Sequence, residues 1–238
     1  MQLDPGDDEA EQRARMEIEN RAREDIRRAL EAQREEIRQR VAGRTFQDFT
    51  DLDLTPSEDE LRYALQQALA KAADLGISIA IRQFEGVGLA FDWTLANTQA
   101  REWALEHTGE LIGQINDTTM RRVQASVAAW IDSGAPLQDL IDDLAPLFGA
   151  ERADLIASTE VTRAFWVGNM EAFRVSGVVE TVEHRTASDE RVCPLCGPLN
   201  GVRTSLSNPS MSHPSGSEYH ELPIHPRCRC WWVAVIDD

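Results

Sequence analysis

Apolar side chains recur every three to four residues along most of the chain and switch to alternation beyond Gly177. This is the pattern of a helical body followed by a small β region. Residues 9–41 are dominated by Arg, Glu, Gln and Ala, with no Gly or Pro, which predicts one long helix. Glu17 with Arg21, Glu19 with Arg23, Glu24 with Arg28 and Glu36 with Arg40 stand four apart in the favourable order, each pair adding about 0.2–0.5 kcal/mol. The apolar stripe of Ala22, Ile26, Leu30, Ile37 and Val41 is interrupted by Gln33 and is too thin to make a core alone. The helix is therefore expected as a solvated arm or as one that docks on a partner, followed by a linker over 43–53.

Thr55-Pro56-Ser57-Glu58 reads as a helix start, with Thr55 as N-cap, Pro56 in the first position and Glu58 closing a capping box. That helix is expected to reach about Ala73 and to end at Gly76. Ile77, Ile79 and Ile81 then alternate, a stretch ambiguous between strand and helix, before Gly86 and Gly88 break the chain. Helical spacing returns over 92–115 through Trp93, Ala96, Ala100, Trp103, Leu111 and Ile115, and again over 118–131 through Met120, Val123, Val127 and Trp130. Leu137, Leu140, Ile141 and Leu144 mark a short amphipathic helix closed by Pro146 and Gly149. Leu155, Thr159, Thr162, Trp166, Met170 and Phe173 line one face of a longer helix that Gly177 stops. Residues 178–184 and 231–236 are β-branched or aromatic and read as strands. Between them, 197–223 is rich in Gly, Pro, Ser and Asn, and an irregular stretch of that length needs something to close it.

The four cysteines all lie near that stretch, as Cys193-Pro194-Leu195-Cys196-Gly197 and His225-Pro226-Arg227-Cys228-Arg229-Cys230. Two-residue gaps let both ligands of a knuckle approach one ion from a tight turn, and Gly197 is expected to supply a left-handed position. The candidate metal ligands are Cys193, Cys196, His225, Cys228 and Cys230, five donors for the four positions of Zn2+, and the spacing does not choose among them. A redox pair calls for a βαβ setting that is absent, and a disulfide calls for an oxidising compartment. A catalytic ion would leave a position open to water beside a carboxylate, for which His213, Glu218, His220 and Glu221 are at hand. A full thiolate and imidazole set favours a closed structural ion instead. Its binding energy, on the order of 10 kcal/mol, replaces the core that a small β region lacks.

Charge narrows the functional classes. The 41 acidic and 24 basic side chains leave a formal charge of −17, which argues against broad binding to nucleic acid or to anionic lipid. No apolar run approaches the roughly 18 residues of a membrane span, and the opening residues lack the pattern of a signal peptide.

Two motifs carry a resemblance. Arg152-Ala153-Asp154-Leu155-Ile156-Ala157-Ser158-Thr159-Glu160, with Thr162-Arg163-Ala164 and Asn169 after it, is similar to the "RA-x-x-IA-x-TE" helix of the tailed-phage head-morphogenesis family, the Mu F-like minor head proteins. Asp189-Glu190-Arg191-Val192-Cys193-Pro194-Leu195-Cys196, Leu199-Asn200-Gly201 and 223–230 resemble its "D-x-R-x-C-x-x-C-x-x-L-D/N-G … P-x-H-P-x-C-R-C" signature. The resemblance runs from about Asn97 to Val233, and His184 stands where relatives commonly carry an aromatic. It implies a non-enzymatic minor capsid protein associated with the portal protein or other capsid and scaffold proteins. Such a protein is made in the host cytoplasm and then resides in the virion, in the head interior or at the portal vertex. Eight residues follow Cys230, so no fused toxin or enzyme domain is expected there.

The expected fold is mostly α, of the α+β kind, in four segments. These are a charged helical arm and linker (1–50), a helical segment with an ambiguous strand or helix (51–96), the helical part of the head-morphogenesis domain (97–177), and a zinc-binding β region (178–238). The competing function is a zinc-dependent hydrolase or nuclease whose centre is completed by His213, His220 and Glu221. A weaker third is a regulatory zinc module that binds a host protein. Glu160 and Arg163, three apart on one helix, form either a solvated pair or a polar contact to the zinc region.

Overall fold

A computed structural model describes residues 5–42, 53–85, 93–187 and 192–236. Most of the expected linker, the Gly86 and Gly88 breakers, and Asp189, Glu190 and Arg191 of the signature lie outside the described residues. The helices are α1 (Pro5–Val41), α2 (Asp59–Glu85), α3 (Thr94–Ser133), α4 (Leu137–Leu144) and α5 (Ala150–Ser176), with a 3-10 turn at Ala145–Phe148. The strands that follow are β1 (Thr181–Arg185), β2 (Arg203–Ser205), β3 (Met211–Ser212), β4 (Glu218–Tyr219) and β5 (Trp231–Val235). One antiparallel sheet has the order β2-β1-β5, with Glu183 opposite both Arg203 and Val233, and β3 and β4 form a separate small hairpin. The chain is thus mostly α with a small carboxy-terminal β region, as expected.

Helix α5 is the centre of the body, packing against α1, α2, α3 and β5. Its buried residues, among them Ala153, Ala157, Val161, Thr162, Ala164, Phe165, Gly168 and Asn169, cover more than one face, as in a helix surrounded by neighbours. Gly177 ends it in the left-handed conformation, at φ 66°.

Gly76 does not end α2, which runs on to Glu85 and resolves the ambiguous 77–85 stretch as helix. A Cβ on Gly76 would sit 2.2 Å from the Phe165 carbonyl oxygen, and one on Gly168 would sit 2.1 Å from that of Ala73. Both glycines therefore serve the close crossing of α2 and α5, where any side chain would collide with backbone.

The start of α2 also differs from expectation. The helix begins at Asp59, and 55–58 is an irregular segment strapped to its neighbours. The Ser57 amide donates to Glu36 Oε2 at 2.9 Å, the Thr55 amide to Asp53 Oδ1 at 2.9 Å, and Asn116 Nδ2 to Glu58 Oε1 at 2.9 Å. Glu58 thus faces α3 and forms no capping box. The two helices expected over 92–115 and 118–131 are one, since only Asn116 and Asp117 separate them and neither breaks the α3 hydrogen-bond ladder. Residues 96 and 97, on either side of an expected division, both lie within α3.

Helix α1 is not a solvated arm. Ala22, Ile26, Ala29, Leu30, Ile37 and Val41 are buried against α2 and α5, so the thin stripe suffices because others complete it. The interrupting Gln33 is buried too, and donates to the Ser57 carbonyl at 2.7 Å. Of the four expected ion pairs, Glu19–Arg23 (3.2 Å) and Glu36–Arg40 (2.5 Å) form. Arg28 pairs with Asp25, Arg21 reaches Asp25 at 3.9 Å, and Glu24 pairs with Arg27 at 3.0 Å.

A second cluster of buried residues joins the helices to the β region. Ala73, Ile77, Phe84, Met170 and Phe173 meet Val182, Leu199, Leu222 and Trp232, and Cys196, Cys228 and Cys230 belong to the same cluster.

Candidate metal centre

Two knuckles face each other above α5. In the first, the amides of Cys196 and Gly197 both donate to the Cys193 carbonyl, at 3.1 and 3.0 Å. Gly197 is not left-handed; it opens the 3-10 turn Gly197–Leu199, and the left-handed positions nearby are Gly201 (φ 82°) and Arg227 (φ 62°). In the second, the Cys228 amide donates to the His225 carbonyl at 3.1 Å. A left-handed arginine costs conformational energy, and contacts to α5 compensate. The Arg227 amide donates to Thr159 Oγ1 at 3.0 Å, and its guanidinium meets Asp154 at 3.0 Å and the Glu151 carbonyl at 3.3 Å. Thr162 Oγ1 lies 2.6 Å from the Cys228 carbonyl. The family-like helix motif is thus the seat of the second knuckle, through Asp154, Thr159 and Thr162.

All five expected donors line one cavity. Cys193, Cys196 and His225 form one set whose ligand atoms lie within 4.8 Å of one another, and Cys196, Cys228 and Cys230 form another. Cys196 belongs to both. Its sulfur is 3.9 Å from that of Cys228, and two sulfurs bound tetrahedrally to one zinc ion stand roughly 3.8 Å apart. His225 Nε2 is 3.1 Å from Cys193 Sγ and 3.0 Å from Cys196 Sγ, somewhat closer than the roughly 3.6 Å that a shared ion sets. His225 Nδ1 donates to the Pro226 carbonyl at 2.7 Å. That bond leaves Nε2 with its lone pair toward the sulfurs, the tautomer a metal ligand needs.

The electrostatics fit a cation. Hydrogen bonds from Cys196 and Cys230 hold the Cys228 thiol down at about 2, while the same partnership drives the Cys196 thiol far up. One negative charge is thus stabilised in the trio at the expense of the next, and full ionisation of all three thiols calls for a positive ion among them. Burial opposes charge on His225, but the Pro226 carbonyl and the negative sulfurs of Cys228 and Cys193 outweigh it and raise its pKa. The cluster can therefore hold a metal.

Sequence reasoning missed Arg15 of α1. Its side chain is buried; it donates to the Arg229 carbonyl at 3.0 Å and to Thr162 Oγ1, and its guanidinium lies 5.3 Å from the Phe165 ring centroid. In a run rich in arginines nothing local marks it out. His184, by contrast, is buried, donating from Nδ1 to the Leu199 carbonyl at 3.0 Å and packing edge-on against Trp232.

The acids and histidines of the long loop do not join the cluster. Among the described residues, His213, Glu218, His220 and Glu221 belong to neither ligand set. His213 pairs with Ser215 and His220 with the Pro209 carbonyl. Glu160 takes neither of its two expected roles. It is buried, accepts from His107 Nε2 at 2.8 Å and from Arg163 at 3.2 Å, and so ties α5 to α3.

Fold and site define a helical protein whose carboxy-terminal β region is built around a pair of Cys/His knuckles that could hold a metal. The comparison with protein families makes this specific: residues 121–233 match the family described as Phage Mu protein F like protein. This stretch, from within α3 through β5, is similar to that family, in line with the resemblance that the motifs carry. The match starts later than the expected residue 97 and leaves α1 and α2 outside it. Neither curated proteins nor solved structures gave a significant match. No helix among the described residues is long and apolar enough to cross a membrane.

Proposed function

We propose that the chain is a non-enzymatic minor capsid protein that binds the portal protein or neighbouring capsid or scaffold proteins, and that it supports head assembly or DNA delivery from the portal vertex. A structural zinc ion holds its carboxy-terminal region, bound by Cys196 and by three of Cys193, His225, Cys228 and Cys230. The observation that carries the reading is that all five donors converge on one cavity inside the stretch matched by the head-morphogenesis family. Thiolates with imidazole suit zinc over harder ions, and four protein ligands make a closed site with no position for water. The ion would fasten the ends of the 193–230 segment onto α5 and so present a fixed surface to other virion components. The charge of −17 disfavours general adhesion to packaged DNA.

The test is metal analysis of the purified chain, combined with heads assembled in its presence. About one zinc per chain, recovery of the chain in purified heads together with portal protein, and loss of both on replacing Cys196 and Cys228 by serine are expected. A chain absent from heads, or a metal-free variant incorporated normally, overturns the proposal.

A further inference from the structure

Arg15 poses a problem of charge. Its side chain is only 6 % exposed, and a buried guanidinium is costly unless a negative group compensates it. Among the described residues its hydrogen bonds go to the Arg229 carbonyl and the Thr162 hydroxyl, both neutral. Glu19, one turn on, is its strongest negative neighbour, with Cys228 and Cys230 next, but that carboxylate also pairs with Arg23 at 3.2 Å and so compensates Arg15 only in part. The Arg229 carbonyl lies between Cys228 and Cys230 in the chain, and Thr162 Oγ1 touches the carbonyl of Cys228 itself. The guanidinium is therefore delivered to the backbone of the knuckle that carries the buried thiols. A zinc ion with three thiolates and one imidazole bears a net charge of −1, and with four thiolates −2.

We propose that Arg15 is the buried counter-charge of the metal–thiolate centre, so that loading the metal and seating the amino-terminal helix are one coupled event. The inference rests on the zinc reading above and adds to it a partner from α1, which the family match does not cover. Coupling is reciprocal: whatever the seated helix adds to metal affinity, the metal adds to the seating of the helix. A second link runs in parallel. Asp154 of α5 is shared between Arg23 of α1, at 2.5 Å from Oδ1, and Arg227 of the second knuckle, at 3.0 Å from Oδ2, so the helix and the knuckle jointly order one carboxylate.

The experiment uses the full chain, zinc-loaded and stripped with a chelator. Amide hydrogen exchange is followed along α1, and zinc affinity is measured by competition with a coloured chelator for the wild type, Arg15→Met and Arg15→Lys. Exchange over residues 9–26 is expected to rise at least about tenfold on stripping. Arg15→Met is expected to weaken zinc binding roughly 10- to 100-fold, the usual range for a group that supports metal ligands from behind, and Arg15→Lys is expected to recover part of the loss. If Arg15 serves packing alone, Arg15→Met lowers the melting temperature equally with and without zinc; if it is the counter-charge, the loss is confined to the loaded form. Unchanged exchange over α1 on stripping, or equal losses with and without zinc, overturns this inference while leaving the zinc centre intact. A wild-type chain that binds no zinc overturns both. Should Arg15→Met fail to fold, the exchange of the wild type alone decides.

Discussion

The side-chain amide of Asn169 donates to the Gly76 carbonyl at 2.6 Å, joining α2 and α5 where the two backbones come closest. Intrahelical bonding normally occupies such a carbonyl, so the extra donor is possible only because glycines at 76 and 168 let the helices approach. Gly76→Ala is expected to cost about 3 kcal/mol, at the upper end for overpacking, because the neighbour struck is backbone and cannot swing aside. Urea denaturation of the variant beside the wild type checks this; a midpoint within experimental error of the wild type contradicts the crossing.

Metal content should respond unequally to the five donors. Cys196→Ser is expected to abolish stoichiometric zinc, because Cys196 alone belongs to both ligand sets. Of the other four, one is expected to be dispensable, since zinc takes four ligands. Elemental analysis with thiol counting across the five single variants reads this directly. Retention of one zinc by Cys196→Ser would refute the shared position. Acidification should release the ion, as protons compete for thiolate and imidazole alike.

The Thr162 hydroxyl has three neighbours, the Arg15 guanidinium, the Cys228 carbonyl and, at 2.8 Å, the Ser158 carbonyl of its own helix. Thr162→Val keeps the shape and removes the oxygen, which leaves a buried donor and acceptor without their partner. A loss of about 1–3 kcal/mol is expected, with Thr162→Ser close to the wild type. Thermal unfolding of the two variants distinguishes the hydroxyl from the methyl group.

His184 should titrate late. Burial disfavours its charged form and lowers its pKa below the ordinary value, the bond to the Leu199 carbonyl and the negative Cys228 opposing this only in part. A folded-state value below the unfolded one means that the unfolded chain takes up the proton first as pH falls. The associated stability is therefore complete above about 6.5, the ordinary histidine value, and declines as pH drops through that value toward the folded one. A histidine-selective NMR titration checks it: a His184 ring that protonates at or above 6.5 would contradict the burial.

The helical body was legible wherever period and punctuation agreed. The spacing through Thr162, Met170 and Phe173 and the stop at Gly177 match α5, because burial on a helix leaves a local, repeating trace, although Leu155, expected on the same face, is exposed. The convergence of Cys193, Cys196, His225, Cys228 and Cys230 on one cavity was legible for a similar reason: short spacings bring side chains of a tight turn to the same side. Gly76 and Arg15 were not. A glycine within a helical pattern reads locally as a breaker, and only the distant Phe165 carbonyl makes it a requirement. Arg15 resembles every other arginine of α1 until the chain returns with Thr162 and Arg229. Thr159 and Thr162 fell on the expected helix face, yet nothing local foretold that their hydroxyls would receive the backbone of the second knuckle. The small strand β2 is too short and polar to show alternation, and is defined by pairing with β1.

Arg15 and the carbonyl it grips are 214 residues apart. At about 5–20 residues per second, a ribosome needs roughly 10–40 s to span that interval. During that time α1 gains α2 and α5 to pack against, while Arg15 still lacks the carbonyl that receives its guanidinium. The seating of this one side chain is thereby postponed until the second knuckle emerges.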